Sequence, residues 1–348
     1  MGFSDRILGK KNVNGGPRIE MVAPSSALAG GELRITGSGL RPQDLHRPKV
    51  KFGEFEGSIV VSSDAFLVAR VPEGATSGPV VVATDGHVSN PHTVNVAVPI
   101  AENLHPVTSP ALDPEGNLYV TFSGSRGQKV PVAIFKIDTN YNVKPFVTEM
   151  MNATAIAFDR EGQLYVSSRF DGAVYRVTPN GTTSTYAEGM GVATGIAFDR
   201  EQSLYVGDRN GTIFKIAPDQ QVFVFATLEA SVSAYHLAFG PQGDLFVTGP
   251  NDRVYKIDPN GTVSTFYKGL GRPQGLAFDV DGNLYVAASL SGTRGIVRIA
   301  PNGLANLEVA GQGLVGLAFA PGRSVILATT STVHHLSWNI QGLSLPPE

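Results

Sequence analysis

The sequence predicts an all-β protein, an immunoglobulin-like β-sandwich followed by a six-bladed β-propeller. Three observations predict it. One short motif returns six times between residues 107 and 340. The chain carries 40 Gly and 23 Pro with only 16% charged residues, a supply of turn positions suited to many short strands. The first 95 residues also read as short strands between Gly-rich turns, but without that period.

At 348 residues the chain exceeds most single compact domains, which leads to two, each large enough for its own core. A net charge of −3 with both signs dispersed gives no basic footprint for phosphates, so nucleic acid is not an expected partner. Without Cys there is no disulfide, thiolate metal site or cysteine nucleophile. No apolar run at the N-terminus reads as a secretory leader, and no stretch of 18 apolar residues reads as a membrane span. The cytoplasm is the default expectation, and a secreted or cell-surface location follows only if a leader was removed.

Residues 1–16 are polar and Gly-rich and are expected to be flexible. Residues 17–95 then give about seven strands in some 80 residues, the density of an immunoglobulin-like sandwich, but without its Cys pair and without Trp. The Pro24 to Gly31 turn, Ile35-Thr36-Gly37-Ser38-Gly39-Leu40, Phe52-Gly53, Val71-Pro72 and Ser89-Asn90 resemble the IPT/TIG family. That resemblance implies an adhesion and interaction module. Its last strand, near Thr93 to Ala97, runs straight on into the next domain, so the two domains are expected to hold a fixed relation.

Residues 96–340 carry the repeat. The copies are PALDPEGNLYV from Pro110, AIAFDREGQLYV from Ala155, GIAFDREQSLYV from Gly195, HLAFGPQGDLFV from His236, GLAFDVDGNLYV from Gly275 and GLAFAPGRSVILA from Gly316. Their equivalent residues Leu112, Phe158, Phe198, Phe239, Phe278 and Phe319 lie 46, 40, 41, 39 and 41 residues apart. Each copy is two apolar runs around a turn, a hairpin signature. A third strand follows (IFKID from Ile134, VYRVT from Val174, IFKIA from Ile213, VYKID from Val254, IVRIA from Ile296, TVHHLSW from Thr332), alternating with period two. A Pro-Asn-Gly turn or its equivalent and a fourth strand such as TVSTFYK from Thr262 complete a blade. The pattern resembles NHL-repeat propellers and the gluconolactonase and regucalcin-like six-bladed family. The sixth copy ends after its third strand, so the segment near 96–102 is expected to close the last blade, with IQGLSL from Ile340 as the rival and 341–348 as a tail.

Propeller sites commonly lie at the channel end formed by loops before the first strand and after the second. Those loops place Thr154, Thr194, Tyr235, His236 and Gln274, with Arg169, Asp208 and Arg209, as the candidate ligand-binding set. The lactonase resemblance implies Asn, Asp and Glu around a Ca²⁺ ion, which needs several oxygen ligands. This chain supplies only Asp208, a weak metal candidate, so Ca²⁺ belongs to the enzymatic alternative alone and no cofactor is otherwise expected. Arg169 and Arg209 offer a fork for a carboxylate or phosphate, or else pair with Asp171 and Asp208. His236 is the weak candidate for a general base or metal ligand, set against a packing role. His334 and His335 are consecutive in a strand and point to opposite faces. The paired His and Glu of virginiamycin-lyase propellers have no counterpart, and His46, His87, His92 and His105 are scattered. The Asp-Arg-Glu-Gly and Pro-Asn-Gly elements are turn residues, and the Asn-x-Thr sequons at Asn152, Asn180, Asn210 and Asn260 give no inference of glycosylation, three being Asn-Gly-Thr turns. The leading expectation is a non-catalytic scaffold for a protein or carbohydrate ligand. The alternative is a gluconolactonase-like or lyase-like hydrolytic enzyme.

Overall fold

The structure is a computed structural model that describes residues 16–42, 47–125 and 127–343. His46 and most of the expected flexible N-terminus and tail lie outside the described residues. The described residues form strands and no helix.

The N-terminal strands are β1 (Arg18–Ala23), β2 (Ser26–Ala27), β3 (Glu32–Ser38), β4 (Lys49–Phe52), β5 (Phe55–Ser62), β6 (Phe66–Arg70), β7 (Gly78–Thr84), β8 (His87–Val88) and β9 (His92–Val96). Alternate residues turn inward, as in the Leu33 and Ile35 pair, and build one core with Val50, Leu67, Val80 and Val82. The Asn90 side chain ties this unit's ends, accepting from Ile19 N at 2.9 Å and donating to Ile19 O at 3.0 Å.

β10 (Val98–Ala101) follows β9 after a single residue and pairs antiparallel with β33 (Val333–Ser337), Val98 opposite His335. It completes a four-stranded sheet with β31 (Leu314–Ala320) and β32 (Ser324–Thr329). Four more separate four-stranded sheets are made of consecutive strands. They are β11 to β14 (Ala111–Leu112, Leu118–Thr121, Ile134–Ile137, Val143–Val147) and β15 to β18 (Ala153–Phe158, Leu164–Ser168, Ala173–Val177, Thr183–Ala187). The others are β19 to β22 (Ala193–Phe198, Leu204–Asp208, Thr212–Ile216, Val222–Thr227) and β23 to β26 (His236–Phe239, Leu245–Thr248, Arg253–Ile257, Val263–Lys268).

The repeat count leads to six blades, and five stand as separate sheets. The fifth copy's strands β27 to β30 (Leu276–Phe278, Leu284–Leu290, Thr293–Ile299, Ala305–Ala310) keep the same antiparallel order. They are continuous with the sandwich in one 13-stranded sheet. The cause is β2, which lies parallel to β30 (Ala27 opposite Ala310) and to β9 (Ala27 opposite Val96). Two residues of sandwich thus cover the edge of a propeller sheet that would otherwise be open.

The aromatic pair that recurs in the repeat has a packing reason. The Tyr or Phe of a second strand meets the Phe of the next copy edge to face, Tyr165 on Phe198 and Tyr205 on Phe239 at 5.0 Å, Phe246 on Phe278 at 4.8 Å, Tyr285 on Phe319 at 5.3 Å. Such pairs contribute about 1 kcal/mol each beyond burial. The motif Asp caps its own hairpin. Asp279 accepts from Asn283 N at 2.8 Å and from the Tyr285 hydroxyl at 3.0 Å, and Asp113 does the same with Asn117 and Tyr119.

Candidate functional site

The innermost strands β11, β15, β19, β23, β27 and β31 surround a central cavity of about 480 Å³, walled by residues such as Ile156, Ile196, Leu237, Leu276 and Leu317. Every one of these strands ends its sheet, so one backbone edge of each faces the channel.

The two ends of this channel differ. At the loop end, before the first strands, Ser109 is wedged between Gly275 and Gly316. A Cβ on Gly316 would lie 2.5 Å from Ser109 Cα, and one on Gly275 would lie 2.4 Å from Ser109 Oγ. The Ser109 hydroxyl accepts from Leu317 N at 3.3 Å, and Thr108 Oγ1 donates to Thr154 O at 2.8 Å. Only glycine permits so close a backbone approach. At the hairpin end the lining residues Pro321, Gly322, Arg323 and Gln341 are exposed, whereas Thr108, Gly195 and His236 at the other end are buried. The cavity is therefore blind at the loop end and opens among the hairpins.

His236 lines this cavity near its blind end and is 4% exposed. Burial, with the Arg294 charge adding to it, pushes its pKa down to about 4, so the imidazole is neutral. Its ring makes no hydrogen bond within the described residues. The other sequence candidates do not line the cavity. Tyr235 precedes His236 in chain and so faces the other way, fully buried between sheets with its hydroxyl donating to Glu229 O, and burial raises its pKa to about 12. Thr194 Oγ1 donates to Gly207 O at 2.8 Å and accepts from Tyr235 N at 3.0 Å. Thr154 Oγ1 donates to Asn152 O at 3.0 Å. Arg169 donates to Gly124 O at 2.6 Å, and Arg209 to Ser231 O at 3.2 Å and to Val232 O, so the guanidinium groups tie neighbouring loops rather than forming a shared fork.

Ca²⁺ does not fit these residues. Asp208 accepts from Val192 N at 2.8 Å and from Asn210 Nδ2 at 3.4 Å, which makes it a loop cap. Among the described residues no three His, Asp or Glu side chains gather as a metal-binding group.

Arg294 is the group that the motif reading missed. It donates through Nε to Leu314 O at 3.2 Å, through Nη1 to Gly271 O at 3.3 Å and Arg272 O at 2.7 Å, and through Nη2 to Leu314 O and to Gln274 Oε1 at 2.5 Å. All of these acceptors are uncharged. Burial, with Arg272 adding to it, lowers its pKa to about 10, so it is still a cation at neutral pH. Its signal in the sequence is a break in the repeat, since Arg294 stands two residues before the third-strand Ile296 where two other copies have Gly172 and Gly211.

Residues 17–99 match the IPT/TIG domain family. No curated protein matches the chain in sequence. Among solved structures, an auxiliary nutrient binding protein of Bacteroides ovatus is similar at 14% identity and TM-score 0.56, over 93% of this chain and 98% of that one. A gluconolactonase of Xanthomonas campestris is similar at 15% identity and TM-score 0.57, over 68% of this chain and 88% of that one. A catalytically inactive virginiamycin B lyase of Staphylococcus aureus, crystallised with quinupristin, is similar at 13% identity and TM-score 0.52, over 94% and 97%. These likenesses show the fold, a propeller-like arrangement of sheets. Among the described residues no helix is long and apolar enough to cross a membrane.

Proposed function

We propose that this chain is a non-catalytic binding protein of the NHL-like, gluconolactonase-like propeller type. It takes part of a protein or carbohydrate ligand into its central channel through the hairpin face, and the IPT/TIG-like sandwich acts as a rigid mount. The observation that carries this reading is the wedge of Ser109 between Gly275 and Gly316, which closes the channel at the end where lactonase-type chemistry would need an open, acid-lined metal site. The nutrient-binding neighbour supports it, and the lactonase and lyase neighbours keep the enzymatic alternative as the outcome to test. The test is hydrolysis of gluconolactone with added Ca²⁺ and again with a chelator. The expected result is the buffer rate in both, and a chelator-sensitive rate would overturn the reading.

A further inference from the structure

The inner edges of the sheets carry chemistry that the side-chain motifs conceal. In β27 and the two residues after it the outward groups are identified by their partners. Phe278 O accepts from Leu343 N at 2.8 Å, and Val280 N donates to Gln341 O at 3.0 Å, with Asp279 bridged to Gly342. The chain's own segment Gln341–Leu343 thus lies as a short extra strand on that edge, at the channel mouth. Gly342 is needed there, because a Cβ would lie 2.1 Å from Phe319 Cβ. The repeat carries the same outward direction to Ile156 and Phe158, Ile196 and Phe198, and Leu237 and Phe239, since side-chain and hydrogen-bonding directions recur every second residue. Leu317 N, which meets Ser109 Oγ, obeys it. β15, β19 and β23 end their sheets on this side with no strand beyond them.

A purely apolar ligand would leave those amides and carbonyls without partners, which is costly in a buried site. An extended backbone would pair with them, as Gln341–Leu343 does with β27. Because the channel is blind, an internal segment of a chain cannot pass through, and only a chain end can enter. Four residues of strand, from Gly195 to Phe198, span about 13 Å, so the depth suits a few terminal residues. The polarity of that end follows from charge. Arg294 stands close enough to the blind end to disfavour protonation of His236, and its own hydrogen bonds all go to uncharged acceptors, so the positive field there is not cancelled by a carboxylate among its partners.

We propose that the channel binds the carboxy-terminal residues of an extended peptide. The peptide pairs with the free edges of β15, β19 or β23, and its carboxylate lies toward His236. This deepens the binding reading and rests on it.

The test uses the full chain and a pool of acetylated tetrapeptides randomised over Ala, Val, Leu, Phe and Ser, as free acids and as carboxamides, read by calorimetry and by the imidazole resonance of His236. The free-acid pool is expected to bind at least tenfold tighter than the amide pool and to raise the His236 pKa, since a nearby anion favours the imidazolium. Backbone N-methylation of the selected peptide is expected to abolish binding. Ala197→Leu, which crowds the channel wall against the Leu237 and Phe239 core behind it, is expected to abolish it as well. Should that variant fail to fold, His236→Gln keeps the test open, being expected to remove the rise in peptide affinity as the pH falls toward the pKa of His236, while leaving the neutral-pH fold intact. No binding from either pool, or equal binding of acid and amide, overturns the proposal. Saturable binding of a maltooligosaccharide instead, lost in Ala197→Leu, overturns the peptide and leaves the binding reading standing. Ca²⁺-dependent lactone hydrolysis overturns both.

Discussion

The two ends of the central channel are built from the same six repeats and have opposite character. At the loop end, backbones touch through Gly275 and Gly316, Thr108 and Ser109 each bond one inner strand, at Thr154 O and Leu317 N, and Arg294 draws Gly271, Arg272, Gln274 and Leu314 together. At the hairpin end the chain is held by exposed links such as Arg160 to Arg200 O at 2.9 Å and Arg200 to Pro241 O at 3.1 Å, and the lumen is open. Closure of the lumen therefore lies at the loop end, and access at the other, where Gln341–Leu343 still packs closely beside the mouth. That division teaches that a shared motif fixes the blades while residues outside it decide which end of the ring is usable.

The most direct way to break the comparison is to loosen the closed end. Gly316→Ala puts a methyl group 2.5 Å from Ser109 N and Cα, backbone atoms that cannot swing aside. Overpacking of this kind costs about 3 kcal/mol. Denaturant unfolding should show that loss as a lower midpoint with an unchanged slope. A loss under about 0.5 kcal/mol would mean that the wedge is not tight.

The second test is titration. The folded pKa of His236 is about 4 against an ordinary value of 6.5, so between those values the unfolded chain binds more protons and stability rises with pH. The gain from this one group, absent below pH 4 and complete above 6.5, is about 3 kcal/mol. His334 and His335 are shifted the same way by burial and add a slope of the same sign. His236→Gln should remove its share and leave theirs, as measured by unfolding free energies at pH 4 through 7.

How far the sequence reached depends on which direction of a strand matters. The aromatic pairs, hairpin caps and third strands all follow from period-two alternation, so the blades could be read copy by copy. The separateness of all six blades did not follow, because the covering of β30 by β2 joins segments nearly 300 residues apart through only two backbone positions. The site was less legible still. The candidates were placed at loop positions on the premise that side chains there face the channel, whereas the inner strands present their backbone edges to it and send side chains between the sheets, as Tyr235 does. Backbone edges leave no residue signature. Arg294 did leave one, by replacing the glycine of two other copies, but a single departure in a degenerate repeat has no direction until its acceptors are known.

Arg294→Gln sharpens the contrast within the closed end. Removing the guanidinium leaves the partly buried Leu314 O short of a donor, at a cost of about 1 kcal/mol, while water replaces it at the exposed Gly271 O and Arg272 O. The same change removes the cation beside His236, so the imidazole pKa should rise, a shift readable by nuclear magnetic resonance.

Arg200→Ala is the counterpart at the open end and the smallest effect expected. Arg200 also donates to a carbonyl across a blade boundary, at 3.1 Å to Pro241 O, so by contact type alone it would rank with Arg294. It is exposed, however, and water replaces the donor as soon as the side chain is gone. The expected loss is under about 0.5 kcal/mol, within the range of surface substitutions, with peptide affinity unchanged. A loss matching that of Arg294→Gln would show that the hairpin face is held as firmly as the loop face. The two ends of the channel would then differ only in whether a backbone fills the lumen.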